Sequence, residues 1–202
     1  MSTSTRKTKP MAESRRESLI AAAAALLDGG GPAAVTLREV GRAAGVSHNA
    51  PYTHFADKEA LLAAVASREL DRMSRVVDGE AQGSARPDAK ALMTGYVAWA
   101  LRYPERFKLT FGRWMRDDPE LAATASASRS LLLAAVQAAQ AHGELPAANP
   151  ERLAGLLLAL AHGAADMALS GHLSADGKGS AEPADLVGDL FEYLRLAAAN
   201  RP

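Results

Sequence analysis

The sequence contains no cysteine. A disulfide framework, a cysteine-ligated zinc site, an iron–sulfur cluster and a cysteine nucleophile are therefore excluded. Aromatic residues are scarce: four Phe, four Tyr and two Trp in 202 residues. Net charge is absent, with 23 basic against 23 acidic side chains. Alanine fills the space, with 45 copies. It is the best helix former and a poor strand former, so the composition predicts an all-α protein. The length suits one large domain or two small ones sharing a core.

The charge balance hides an asymmetry. Residues 1–58 carry 8 basic and 5 acidic side chains, whereas residues 59–202 carry 15 and 18. A mildly basic head on a mildly acidic body points to an anionic partner for the head.

Two stretches imitate membrane signals. Arg15-Arg16 ahead of Leu19, Ile20 and an alanine run resembles a twin-arginine leader. Its apolar run stops at Asp28 and three glycines, and Ile20, Ala23, Ala24 and Leu27 follow the spacing of a packed amphipathic helix. The second stretch, Leu153 to Leu169, carries His162 and Asp166 and is too polar for a bilayer span. With no cysteine besides, a cytoplasmic location is expected.

The chain reads as about nine helices. Residues 1–10 form a basic tail without apolar period, expected to be disordered. Helix 1 runs from about Ala12 to Asp28 and stops at Gly29-Gly30-Gly31. Thr36-Leu37-Arg38-Glu39 matches a capping box that opens helix 2, which runs to Ala44. Gly45 sits where a turn needs positive φ, and Ser47 is expected to cap a third helix running to about Phe55, with Pro51 at its fourth position. Asp57 caps helix 4, which can reach about Glu80. A loop follows to Asp88. Helices 5, 6, 7, 8 and 9 are predicted at about 88–102, 104–113, 119–142, 150–170 and 183–199. Pro104, Pro119 and Pro150 look like first-position prolines, and residues 171–182 form a Gly/Ser loop. The expected domains are a helix-turn-helix domain at 11–62, with the motif at about 37–56, and a ligand-binding and dimerisation bundle at 63–202.

Helix 2, the turn at Gly45 and helix 3 have the order of a helix-turn-helix, with Val40, Ala43 and Val46 as the expected contacts between the two helices. The first helix braces across the phosphate backbone, and the second lies in the major groove, which is wide enough for a helix. The exposed face of helix 3 offers Ser47, His48, Asn49, Tyr52, Thr53 and His54. These are short or planar hydrogen-bonding groups suited to base edges and phosphates. Phe55 is expected in the core, and Arg15 and Arg16 as exposed tail charges.

Thr36-Leu37-Arg38-Glu39-Val40, Ala44-Gly45-Val46-Ser47, Tyr52-Thr53-His54-Phe55 and Lys58-Glu59-Ala60-Leu61-Leu62 together resemble the DNA-binding domain of TetR-family regulators. The resemblance covers about residues 15–65. It implies that Thr36, Tyr52, His54 and Lys58 contact phosphates. It also implies that Arg38, Ser47, His48 and Asn49 reach base edges or nearby phosphates, while Ala50 meets a thymine methyl. The implied partners are double-stranded DNA, a second copy of the chain and an unidentified small molecule.

In the body, Tyr96, Trp99, Phe107, Phe111, Trp114, Met115 and Met167 hold most of the large side chains. As a set, with His162 and Asp166, they suit the walls of a ligand pocket between helices. Tyr96 to Leu101, Tyr103 to Phe107 and Phe111-Gly112 are similar to a C-terminal subtype of the family named for a Trp-His-Gly motif. At that place this chain has Ala161-His162-Gly163. Arg102, Arg106, Lys108, Arg113 and Arg116 form a basic run read as a solvated face, with an anionic ligand as the other possibility. Leu153, Leu156, Leu157, Leu160 and Ala164, with Leu186, Leu190 and Leu194, are the expected dimer faces of helices 8 and 9. His162 and Asp166 have no third ligand nearby, so no metal and no cofactor is implied. The sequence has no nucleophile elbow, Gly-rich phosphate loop or paired-carboxylate motif, so no catalytic residue is assigned. The expectation is a ligand-responsive homodimeric repressor. An architectural DNA binder without a ligand switch is the alternative.

Overall fold

The computed structural model describes residues 11–80, 88–174 and 181–199, all of whose regular elements are α-helices. The expected basic tail (1–10) and most of the expected loops at 79–88 and 171–182 lie outside the described residues. The chain divides into two compact units, at residues 1–66 and 67–202. The boundary falls four residues beyond the expected one, inside a continuous helix.

The head contains α1 (Met11–Ala34), α2 (Leu37–Ala43), α3 (Ala50–His54) and the start of α4 (Lys58–Glu80). The glycine triplet does break α1, because Gly30 leaves helical geometry and Gly31 takes a left-handed φ of 64°. Leu19, Ile20, Ala23, Ala24 and Leu27 are buried, as an amphipathic first helix requires, together with Val35, Leu37, Val40, Phe55 and Leu61. Small aliphatic side chains dominate this core, so α1 packs closely on α2 and α3.

The body contains α5 (Ala89–Arg102), α6 (Pro104–Thr110), α7 (Pro119–Ala141), α8 (Pro150–Leu169) and α9 (Pro183–Ala199). Polar caps set three of these starts. Asp88 Oδ1 accepts from the Lys90 N–H at 2.8 Å, Asp118 Oδ1 from Leu121 at 2.9 Å and Asn149 Oδ1 from Arg152 at 2.9 Å. Helices α5, α8 and α9 pack on one another, and α7 packs against α5 and α8. Their shared core holds Met93, Tyr96, Val97, Phe107, Leu132, Val136, Leu157 and Val187. α8 is long and apolar enough to cross a membrane by length and composition alone, yet Leu153, Leu157, Ala161 and Ala165 are buried in this core.

Two helices differ from expectation. α3 begins at Ala50, two residues after the expected start, and Asn49 rather than Ser47 holds the cap position. Pro51 thereby falls in the first turn, where its missing N–H has no helical partner to lose. α6 stops at Thr110 instead of about Arg113. The Gly112 N–H bonds to the Leu109 carbonyl at 3.3 Å, tightening the last turn and ending the helical period there.

Candidate nucleic-acid interface and body cavity

The helix-turn-helix is fixed by local hydrogen bonds. Thr36 Oγ1 accepts from the Glu39 N–H at 3.1 Å, which caps α2. The Glu39 carboxylate accepts from Arg42 Nε at 2.9 Å, one turn along, so it serves an ion pair instead of closing the capping box. α2 ends with two bonds around Gly45, from the Gly45 N–H to Arg42 O at 3.2 Å and from the Val46 N–H to Gly41 O at 3.1 Å. That pattern requires a left-handed residue at Gly45, whose φ is 66°. The contact between α2 and α3 involves Gly41, where an added Cβ would sit 3.0 Å from Pro51 Cγ. Ala43, expected in this contact, is exposed, while Val40 is buried and Val46 half-buried. α2 is so short that Val40 and Gly41 already define its inner face.

On this frame Thr36, Arg38, Ser47, His48, Asn49, Tyr52 and Thr53 are exposed, and Ala50, His54 and Lys58 are half-buried. Ser47, His48 and Asn49 precede α3 in the turn instead of forming its first residues. Tyr52 is 53% exposed, so it is no core aromatic, and its ring meets His48 edge-on at 5.9 Å. Thr53 Oγ1 donates to the Ala50 carbonyl at 2.7 Å. Lys58 Nζ donates to the Pro32 carbonyl, which ties it to the last turn of α1, beyond the glycine break. His54 lies beside Phe55, with ring centroids 6.4 Å apart. Arg16, read from sequence as a tail charge, lies over the buried Phe55 ring at 5.4 Å. A residue 39 positions away in sequence gives no local signal for that contact.

The body holds a cavity of about 1460 Å³ lined from α4 through α8. Tyr96, Trp99, Phe111 and Trp114 line it as expected of pocket residues, whereas Phe107, Met115, His162, Asp166 and Met167 do not. Phe107 is buried, with its ring 4.8 Å from the His162 ring. His162 Nδ1 lies 2.8 Å from the Tyr96 hydroxyl. Burial pushes the Tyr96 phenol above its ordinary value of 10.0. Met115 is 92% exposed, because α6 ends before it and the helical spacing that placed it inward no longer applies. Asp166 and Met167 are exposed, since α8 turns Ala161, Ala164 and Ala165 inward.

The residue that organises the cavity wall has no sequence signature. Glu69 is 1% exposed in α4. Its carboxylate accepts from Arg106 Nη1 at 3.2 Å, Arg68 Nη2 at 3.4 Å and Trp99 Nε1 at 3.3 Å. The Arg106 guanidinium also covers the Tyr103 ring at 4.3 Å. Arg106 is therefore a buried member of the run read as a solvated face. Elsewhere in that run Lys108 pairs with Glu105 at 2.8 Å and Arg102 bonds to the Tyr103 hydroxyl at 3.0 Å. Among the described residues no group of three His, Asp or Glu could hold a metal ion.

The expected dimer residues divide three ways. Leu153, Leu157 and Ala164 are buried within the protomer's own core. Leu160, Leu186, Leu190 and Leu194 are half-buried, three of them packed on that core. Leu156 is 65% exposed. The apolar spacing of α8 had served both roles, and the core takes most of it. Met167 on α8, read from sequence as a pocket residue, and Tyr193 and Leu196 on α9 are exposed large apolar side chains.

Comparison with known proteins follows the same division. Residues 19–65 match the family model for bacterial regulatory proteins of the tetR family. Residues 89–193 match the model for the tetracyclin repressor-like C-terminal domain. No curated protein matches the sequence. Among solved structures, a protein of unknown function from Rhodococcus sp. RHA1 is 27% identical, with 96% of this chain and 98% of that one covered and a TM-score of 0.75. A protein from Rhodococcus sp. assigned to the TetR-family transcriptional regulators is 25% identical, with 90% and 99% covered and a TM-score of 0.69. FadR from Bacillus subtilis, solved in complex with stearoyl-CoA, shares the fold at 12% identity, with 88% and 96% covered and a TM-score of 0.63. The capped helix-turn-helix and the two matched domains make this chain a member of the TetR family, a DNA-binding transcriptional regulator from a family of regulators and not of enzymes.

Proposed function

We propose that the chain is a cytoplasmic homodimeric repressor that leaves a near-palindromic operator when a small molecule fills the body. The observation that carries this is the pairing of an exposed polar face in the head with an aromatic-lined cavity in the body. Thr36, Tyr52, His54 and Lys58 contact phosphates, and Arg38, Ser47, His48 and Asn49 read base edges or adjacent phosphates, with Ala50 against a thymine methyl and Thr53 beside them. A recognition helix of five residues reads few base pairs, so two copies are needed for a useful operator. Exposed Leu156 and Met167 on α8 and Tyr193 and Leu196 on α9 supply the apolar faces for that pairing.

The cavity supports a ligand switch over an architectural role, which would be served by a filled body. The stearoyl-CoA complex of FadR is one instance of a ligand held by this fold. The Trp-His-Gly resemblance keeps its histidine: His162 sits among Tyr96, Phe107 and Phe111. Ala161, at the place of the subtype's tryptophan, is fully buried. Footprinting on the DNA flanking the chain's own gene tests the proposal. Two protected half-sites about 34–36 Å apart, or a multiple of that, are expected. A single protected site without symmetry would overturn the dimer.

A further inference from the structure

The cavity's wall carries more information about its occupant than its size does. Tyr96, Trp99 and Phe111 line it as mutually tilted rings, with centroids 5.4 Å apart for Tyr96 and Phe111 and 6.4 Å for the other two pairs. Such walls favour a flat ring that can meet edges and faces. The volume of about 1460 Å³ exceeds the ~300–1,000 Å³ usual for drug-sized ligands, so more than one ring fits.

Charge is balanced around this wall. The lining includes five basic and five acidic side chains. The innermost carboxylate, Glu69, is already shared by Arg106 at 3.2 Å and Arg68 at 3.4 Å, and the Arg106 guanidinium is stacked on the Tyr103 ring. Asp88 and Asp118 commit their carboxylates to the N-termini of α5 and α7. A charged ligand would therefore lose hydration without gaining an uncompensated opposite charge.

One polar group in the wall is left over. Thr110 lines the cavity and is 7% exposed, yet its hydroxyl has no hydrogen-bond partner. A helical threonine commonly bonds the carbonyl four residues back, and this one does not. Rotation about χ1 exchanges its methyl and hydroxyl, so the hydroxyl can be turned to an incoming oxygen.

From these three observations we propose that the cavity takes a neutral aromatic ring compound bearing a hydrogen-bonding oxygen, with Thr110 as the partner of that oxygen. The proposal rests on the ligand-responsive reading above and names the ligand class. Four probes test it on the full chain by equilibrium dialysis: 2-naphthol, naphthalene, 2-naphthoate and 1-decanol. Both tryptophans of the chain line the cavity, so their emission reports whether the bound probe sits there.

The expected order puts 2-naphthol first, about 3–10-fold tighter than naphthalene from one added hydrogen bond. The anionic naphthoate and the flexible decanol bind more weakly than 2-naphthol. In Thr110→Val the preference for 2-naphthol over naphthalene disappears while naphthalene affinity is kept. That variant folds at least as well as the parent, because the hydroxyl it loses had no partner. Tighter binding of naphthoate or decanol, a naphthol preference that survives in Thr110→Val, or no binding by any probe overturns the ligand class. DNA affinity measured beside each titration separates the two proposals. A probe that binds in the expected order yet leaves DNA affinity unchanged supports the ligand class and removes the switch.

Discussion

The head and the body treat polar side chains in opposite ways. In the head the core is aliphatic except for Phe55, and the hydrogen-bonding groups around α3 stand at the surface. In the body Glu69, Arg106, Thr110 and Ser67 are all buried, and aromatic rings surround open volume. A surface of short polar groups on a rigid frame suits a large, hydrated, charged partner such as a duplex. Polar groups drawn inside, next to an apolar cavity, suit a small partner that must shed its water. The difference also separates what holds each region together: caps and turn bonds in the head, a buried charge cluster and polar contacts such as Ser67 Oγ to Thr124 Oγ1 at 2.8 Å in the body.

The sharpest way to break this contrast is to remove one ionic partner from each region. Glu69→Ala leaves buried guanidinium groups without their carboxylate and should cost about 3–5 kcal/mol in denaturant unfolding. Arg42→Ala removes a surface pair with Glu39 and should cost about 0.2–0.5 kcal/mol. Similar costs for both would erase the distinction.

Next in size are the glycines of the head. Gly41→Ala brings a methyl against Pro51, which α3 holds in place, so α3 must shift. Overpacking of this kind costs about 1–3 kcal/mol. DNA affinity should fall about tenfold or more, as about 1.4 kcal/mol of that cost appears in binding. Gly45→Ala forces a side chain into the left-handed turn, at about 1–2 kcal/mol by thermal unfolding. An unchanged unfolding midpoint in Gly45→Ala would mean that the turn is not a fixed part of the head. Thr36→Ala removes the α2 cap and should cost about 1 kcal/mol.

These head features were legible because their causes are local. Thr36, Gly45 and Asp57 signal a cap, a turn and a second cap within a few residues of where each acts. The proline starts of α6 to α9 were legible for the same reason. The start of α3 was misplaced because Ser47 and Asn49 are both able to cap, and only the fit of Pro51 into a first turn decides between them. The body was less legible because its decisive contacts join distant residues. Glu69 and Arg106 lie 37 positions apart and Tyr96 and His162 lie 66 apart. No spacing rule links such pairs. Apolar periodicity in α8 likewise cannot tell a core stripe from an interface stripe, so Leu153 and Leu157 were assigned outward and lie inward.

The smallest effect expected is on pH dependence. Burial raises the Tyr96 phenol above 10.0 in the folded state. The folded chain then keeps a proton that the unfolded chain loses, so stability falls as pH rises above that value. Tyr96→Phe should flatten this alkaline decline in unfolding curves collected up to about pH 11, above the ordinary Tyr pKa. An unaltered decline would locate the alkaline sensitivity elsewhere.

The most direct test of the account is a fluorescence anisotropy salt series on the DNA flanking the chain's own gene. The wild type, Tyr52→Phe in the head and Lys108→Ala in the body would be measured together. The account predicts tight binding that weakens steeply with salt, further weakening in Tyr52→Phe, and wild-type affinity in Lys108→Ala. Equal affinities for this DNA and random DNA, or a Lys108→Ala loss that matches the Tyr52→Phe loss, would contradict it.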